Sequence, residues 1–196
     1  MNKLAILIFI INFSLYINSN LFSQDTNILK NRFIITERDK LTSKINILTS
    51  WKYTYQYLKD SKFRFYKKYG KTITLDFSYK NLKPIFVNNG TPIIFTFSDG
   101  RSVQLTNIQN VVYNPYYIGA VKFYDVLVKY KFNNDSEFNS FANIAITNIR
   151  FNFINEFNER DYDDIAISTL KTSNWQIVFN YFQDGINKLE EIENNY

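Results

Sequence analysis

The sequence predicts an α+β protein: mainly antiparallel β, as a sandwich or partial barrel, with a short helix and a C-terminal helix packed on the sheet. Two patterns predict this. Between Trp51 and Phe153 apolar residues recur at every second position, interrupted by glycine and asparagine turns, which is the spacing of half-buried strands. From Trp175 the period changes, and Val178, Phe179, Phe182, Ile186, Leu189 and Ile192 follow at helical spacing.

The strands can be placed in order. "WKYTYQY" (51–57) alternates Trp51, Tyr53, Tyr55 and Tyr57 with polar residues. "KFRFYKKYGKTITLDFSYK" (62–80) predicts a hairpin turning near Tyr69-Gly70, with Ile73, Leu75, Phe77 and Tyr79 on one face, paired with Phe63 and Phe65. Asn88-Asn89-Gly90 is a turn, and "TPIIFTFSDGRSVQL" (91–105) is a hairpin about Asp99-Gly100, with Ile93, Phe95 and Phe97 facing Val103 and Leu105. "AVKFYDVLVKYKF" (120–132) places Tyr124, Val126, Val128, Tyr130 and Phe132 on one face. A short helix over 136–142, capped by Asn134 or Asp135, comes next. In "IAITNIRFNF" (144–153) the apolar residues change parity, so a bulge is expected near Thr147-Asn148. Ser173 with Gln176 reads as a capping box for the last helix, and Gly185 marks a candidate bend.

The N-terminus reads as a secretory signal peptide over 1–23. Lys3 precedes an apolar run of about 14 residues, too short to span a bilayer, and a polar exit follows. Cleavage is expected after Ser23, with Ser19 as the alternative. No cysteine is present to carry a lipid, so export to the periplasm or beyond without a lipid anchor is expected. Residues 24–196 then form one β-rich domain with a C-terminal helix, because three prolines and five glycines leave no linker. Without disulfides, stability must come from the core, and a chain of about 173 residues buries roughly 70% of its unfolded surface.

The net charge of +5 hides an asymmetry. Residues 24–101 hold 15 basic and 6 acidic side chains, and residues 102–196 hold 7 and 12. In one domain these fields partly cancel.

The composition excludes several chemistries. With no histidine and no cysteine there is no Ser-His-Asp triad, no thiolate nucleophile and no thiolate or imidazole zinc site. No glycine-rich phosphate loop occurs. We therefore assign no catalytic residue, no cofactor and no metal. Carboxylate chemistry stays open, and Asp76, Asp125 and Glu137 read as ordinary strand or helix-start residues unless a cleft collects them.

Three clusters were weighed. "KDSKFRFYKKYGK" (59–71) interleaves lysines with rings, and period two puts Lys62, Arg64, Tyr66 and Lys68 on one outer face. That face is the candidate binding surface for an acidic glycan, an anionic surface or a protein; export disfavours nucleic acid. The plainer interpretation is a hairpin with lysines outward, which also guards a sheet edge. "NEFNERDYDD" (155–164) groups Glu156, Glu159, Asp161, Asp163 and Asp164 without EF-hand spacing, and reads as a solvated acidic loop before a calcium site. "YNPYYIG" (113–119) places tyrosines where they either pack at a sheet corner or stack on sugar.

Three further stretches carry a resemblance. "TERDKLTSKINILTSW" (36–51), "TPIIFTFSDGRSVQL" and "VKYKFNNDSEFNSFANIAITNIRFNF" (128–153), together with the "LFSQ" exit, resemble small secreted proteins of Bacteroidota-type bacteria. The resemblance implies export and a single domain, and it implies no site residues. On these grounds the expected function is a non-catalytic exported binding module, with a carboxylate-based extracytoplasmic hydrolase as the alternative.

Overall fold

A computed structural model of the chain describes residues 33–42, 44–56, 59–68 and 70–194, so the segment expected to be a signal peptide, 1–23, lies outside the described residues. The strands are β1 (Ile34–Arg38), β2 (Ile45–Thr49), β3 (Lys52–Gln56), β4 (Lys59–Lys67), β5 (Thr74–Asn81), β6 (Phe86–Val87), β7 (Pro92–Phe97), β8 (Ser102–Asn107), β9 (Val111–Val112), β10 (Asn114–Ile118), β11 (Val121–Lys131), β12 (Ile146–Ile154) and β13 (Arg160–Ala166). The helices are α1 (Phe138–Asn143), entered through a 3-10 turn, and α2 (Thr169–Asn194). All strands join one antiparallel sheet in the order β1-β2-β4-β5-β11-β8-β7-β12-β6-β9, with β3 on β4, β10 on β11 and β13 on β12.

The sheet turns its corner where β11 meets β8 through only two residue pairs, Tyr130 with Asn107 and Lys131 with Thr106. Beyond the corner it folds back on itself. Phe77 on β5 lies 4.9 Å from Phe151 on β12, and Phe63 on β4 lies 5.8 Å from Phe95 on β7, between ring centres. The helices close the remaining side, because the folded sheet leaves an apolar mouth. Phe65 reaches Phe138 and Phe141 of α1 and Phe179 of α2 at 4.8, 5.2 and 5.0 Å, so one ring joins both helices to the sheet. Each fully buried phenylalanine contributes roughly 1.5–3 kcal/mol of transfer free energy, and twelve of the largest side chains are fully buried.

Local signals place most elements. Gly70 and Gly100 take left-handed backbone (φ +61° and +84°), and β4 pairs β5 and β7 pairs β8 around them in the expected registers. The bulge expected near Thr147-Asn148 is present: the β12–β7 register shifts between Ile146 and Asn148. The Asn134 side chain accepts the Glu137 amide at 3.1 Å ahead of α1, while the Glu137 carboxylate accepts the Asn133 amide at 3.1 Å.

Two expectations are corrected. α2 starts at Thr169, a full turn before Ser173, so Ser173 sits inside the helix and not at its N-cap position. Thr172 anchors the first turn instead, donating its hydroxyl to the Ile146 carbonyl at 2.8 Å. The acidic stretch is only partly a loop, because Asp161, Asp163 and Asp164 lie on β13. α2 runs unbroken through Gly185, and no helix among the described residues is long and apolar enough to cross a membrane.

Candidate functional site on the outer sheet face

The site begins with a register change. Ile47 pairs Lys67 and Leu48 pairs Tyr66, but further along the same edge of β4 Lys52 pairs Phe63 and Tyr53 pairs Lys62. One extra residue has entered at Ser50-Trp51, which is a bulge in the broken strand β2–β3. A one-residue slip reverses every following side chain. Lys52 and Thr54 therefore face the core, 8% and 2% exposed, and Tyr53 faces out at 46%. The inversion needs polar partners inside. Thr54 shares a hydrogen bond with the Ser61 hydroxyl and also donates to the Ser61 carbonyl at 3.1 Å. Lys52 donates to the Ser50 hydroxyl at 2.9 Å, and burial lowers its pKa to about 8.

The candidate residues separate on this face. Phe63 and Phe65 are fully buried and Lys62, Arg64 and Tyr66 are half-buried, so the outer row of β4 forms as its period requires. Lys62 carries its ammonium 5.0 Å from the Trp51 ring centre and 5.8 Å from that of Tyr53. The Arg64 guanidinium lies 4.7 Å from the Trp51 ring centre, and its Nε donates to Asp76 Oδ2 at 3.1 Å. Tyr66 has Lys129 5.4 Å above its ring, and its phenol is pushed up chiefly by burial. Lys68 lies past the end of β4 and stands apart from the other three. It is exposed near Asp39, whose carboxyl is held down by the Thr42 and Leu41 amides and more weakly by Lys68 itself.

The row is not the bare line of cations that its spacing predicts. Asp76 on β5, itself buried, takes Arg64 on one side and Lys129 on the other at 3.1 and 3.2 Å. Lys62 has no carboxylate within ion-pair distance among the described residues, and the two rings hold its ammonium in place.

Beside Lys62 the face is concave. A hollow of about 200 Å³ is lined by Tyr53, Asp60, Lys62, Lys80, Tyr116 and Asp125, with Ser61 and Ser78 at its base. It crosses β3, β4, β5, β11 and β10, four inter-strand steps or roughly 19 Å. Asp60 accepts from Lys80 at 2.7 Å, and that hydrogen bond is the main reason the lysine pKa is raised. Asp125 accepts from the Ser78 hydroxyl at 3.2 Å. Burial raises its pKa, against the opposing pull of Ser78, Lys62 and Lys80. Tyr116 stacks on Phe123 at 5.8 Å, while Tyr113 packs edge-on against Phe86 and Tyr124 at 5.4 and 5.0 Å. Of the tyrosines of 113–119, Tyr113 packs, Tyr116 lines the hollow and Tyr117 is exposed with Lys122 over its ring.

Sequence reasoning missed Trp51, Tyr53, Asp60 and Lys80 as site residues, while Tyr116 belongs to the 113–119 stretch it offered for stacking on sugar. The strict alternation of rings in 51–57 marked a strand but not its face. Asp125 was noted as a mid-strand carboxylate, and the hollow is the cleft that gives it a second meaning. Asp76 stays a structural residue, and Glu137 belongs to the α1 entry.

Two larger concavities, of about 530 and 410 Å³, lie at the β12–β13 hairpin and share Phe153 and Asp161. Much of the acidic stretch there is engaged: Glu156 with Lys83 at 2.8 Å, Asp164 with Arg150 at 2.8 Å, and Asp163 with the Tyr79 hydroxyl. No group of three or more such ligands gathers as a metal would need among the described residues. In comparisons with known proteins, the chain matches no family model, no curated protein and no solved structure.

Proposed function

We propose that the chain is a non-catalytic, exported module that binds an acidic glycan across the outer face of β3, β4, β5, β11 and β10. The supporting observation is the Trp51–Tyr53–Lys62 group. Two rings turned outward by a bulge hold an ammonium that has no protein anion within ion-pair distance among the described residues. Rings facing water offer flat apolar surface to the C–H faces of sugars, and a fixed ammonium meets a carboxylate or sulfate. The charged pairs of the hollow supply donors and acceptors for hydroxyls. At about 200 Å³ the hollow is smaller than pockets that enclose a whole small molecule, so it suits one unit of a longer chain. Export rests on the N-terminal segment and on the resemblance to secreted proteins.

The test uses Trp51 emission in a Trp175→Phe background, where Trp51 is the sole tryptophan. Titration with heparin or polygalacturonate should change the emission, and the affinity should fall steeply with salt. Lys62→Ser should weaken binding by at least about tenfold, as expected for a charged contact. A neutral glucan should bind without the salt dependence, and anionic vesicles should not compete. Unchanged emission with every glycan, or equal affinity for Lys62→Ser, overturns the proposal.

One observation favours a second interpretation, a carboxylate-based hydrolase. The hollow holds two carboxyl groups in different settings, Asp125 pushed toward protonation by burial and Asp60 paired with Lys80. Two carboxylates in divergent environments are the arrangement that separates acid from base. Release of reducing ends from a bound glycan, lost in Asp125→Asn, would establish it.

A further inference from the structure

We infer a second, separate site: the concavity of about 530 Å³ between the Asn88–Pro92 turn and the β12–β13 hairpin takes a single carboxylate-bearing sugar, anchored by Arg160. The site shares no residue with the outer-face hollow. It is independent of the glycan proposal above.

Arg160 is the distinguishing residue. Arg64, Arg101 and Arg150 each hold an aspartate within 3.1 Å. Among the described residues Arg160 has no ion pair and no side-chain hydrogen bond, although it lines the concavity of about 530 Å³. A guanidinium presents a planar fork that matches a carboxylate with two parallel hydrogen bonds. The rest of the lining selects what the carboxylate is attached to. Asn88, Asn89 and Asn152 bring carboxamides, each able to donate and accept, which suits neighbouring hydroxyls. Asn152 donates to the Pro92 carbonyl at 2.9 Å, which fixes its plane and leaves its oxygen for a ligand. Phe153 and Pro92 supply an apolar wall for a ring face.

Asp161 sets the orientation. It neighbours Arg160 and lines the same wall, and its Oδ1 accepts the Tyr162 amide at 2.8 Å. It repels a ligand carboxylate and accepts hydroxyls, so the carboxylate is directed to Arg160 and the polyol end to Asp161. The volume falls within the range that encloses one small molecule, unlike the hollow on the outer face. The 410 Å³ concavity is the weaker candidate because its lysine, Lys83, is already bound to Glu156.

The experiment titrates the full mature chain with D-glucuronate, D-glucose and acetate, followed by calorimetry and by amide shifts in NMR spectra. Glucuronate should bind with shifts centred on 88–92 and 152–161. Glucose and acetate should each bind at least about tenfold more weakly, since each lacks one half of the recognition. Arg160→Gln should lose at least about tenfold and Arg160→Lys should lose less, both read from the shifts at 88–92 and 152–161. Thermal melts confirm that the variants fold. If Arg160→Gln binds as wild type does, or if glucuronate causes no shift up to about 20 mM, the site does not exist as described. Failure here leaves the outer-face proposal untouched, because the shifts at 88–92 and 152–161 report on this concavity alone.

Discussion

The ammonium of Lys62 lies 5.0 Å from the centre of the Trp51 ring, and the two residues meet only because one extra residue at Ser50-Trp51 turns Trp51 outward. The two tryptophans should therefore behave oppositely. Trp51→Ala removes a half-buried ring from an outer face and should cost no more than about 1.5 kcal/mol. Trp175→Ala and Phe182→Ala empty core positions beside Phe63 and Phe65 and should each cost about 3–5 kcal/mol. Urea denaturation compares them, and equal losses for the two tryptophans would show that the bulge does not form.

The inversion also leaves Lys52 inside, with its pKa lowered by burial from 10.5 to about 8. Between those values the unfolded chain holds a proton that the folded chain has released, so stability should rise as pH climbs from about 8 to 10.5. Water reaching the chain end discounts the effect to on the order of 1–2 kcal/mol. Lys52→Met should abolish the rise and be the more stable protein at pH 7. Parallel pH curves for wild type and variant would contradict a buried lysine.

Asp76 is a buried carboxylate between two cations, Arg64 and Lys129. Asp76→Ala leaves those cations facing each other and should cost about 2–4 kcal/mol, toward the range for breaking a buried pair. Arg64→Ser should cost less, because Lys129 remains on the aspartate. Lys62→Ser and Lys68→Ser should be nearly neutral in stability, at about 0.5 kcal/mol or less. Denaturation midpoints of the four variants give the ranking.

Asp125 has its pKa raised above 3.8, chiefly by burial, so the folded chain holds this proton more tightly than the unfolded chain does. Its contribution to stability is therefore full below pH 3.8 and is lost as pH rises through the higher folded value. Asp125→Asn should remove that decline, match or exceed wild-type stability at pH 7, and weaken glycan binding. Stability curves from pH 3 to 7, taken beside glycan titrations, test the trade. A variant that is less stable at pH 7 would mean that the ionised carboxylate is a structural need.

The amino-acid sequence by itself determined several of the turns and the strand character of β3, β4, β5, β7, β8, β11 and β12, while it read the β13 residues as loop. Gly70, Gly90 and Gly100 each take positive φ, and the parity change at Thr147-Asn148 marks a bulge that the β12–β7 register contains. It also determined that 175–189 lay one face of a helix on the core. These are local effects: backbone sterics, period two and period 3.6 act within a few residues. Only the tertiary structure decided which way β3 faces, because the slip at Ser50-Trp51 is defined by pairing with β4 and leaves no mark of its own in the alternation. It likewise decided that Arg64 belongs to Asp76 while Lys62 meets the rings of Trp51 and Tyr53. The hollow is the extreme case, since residues 53, 60–62, 78, 80, 116 and 125 become neighbours only by crossing five strands. Local periodicity carries no information about such distant pairings.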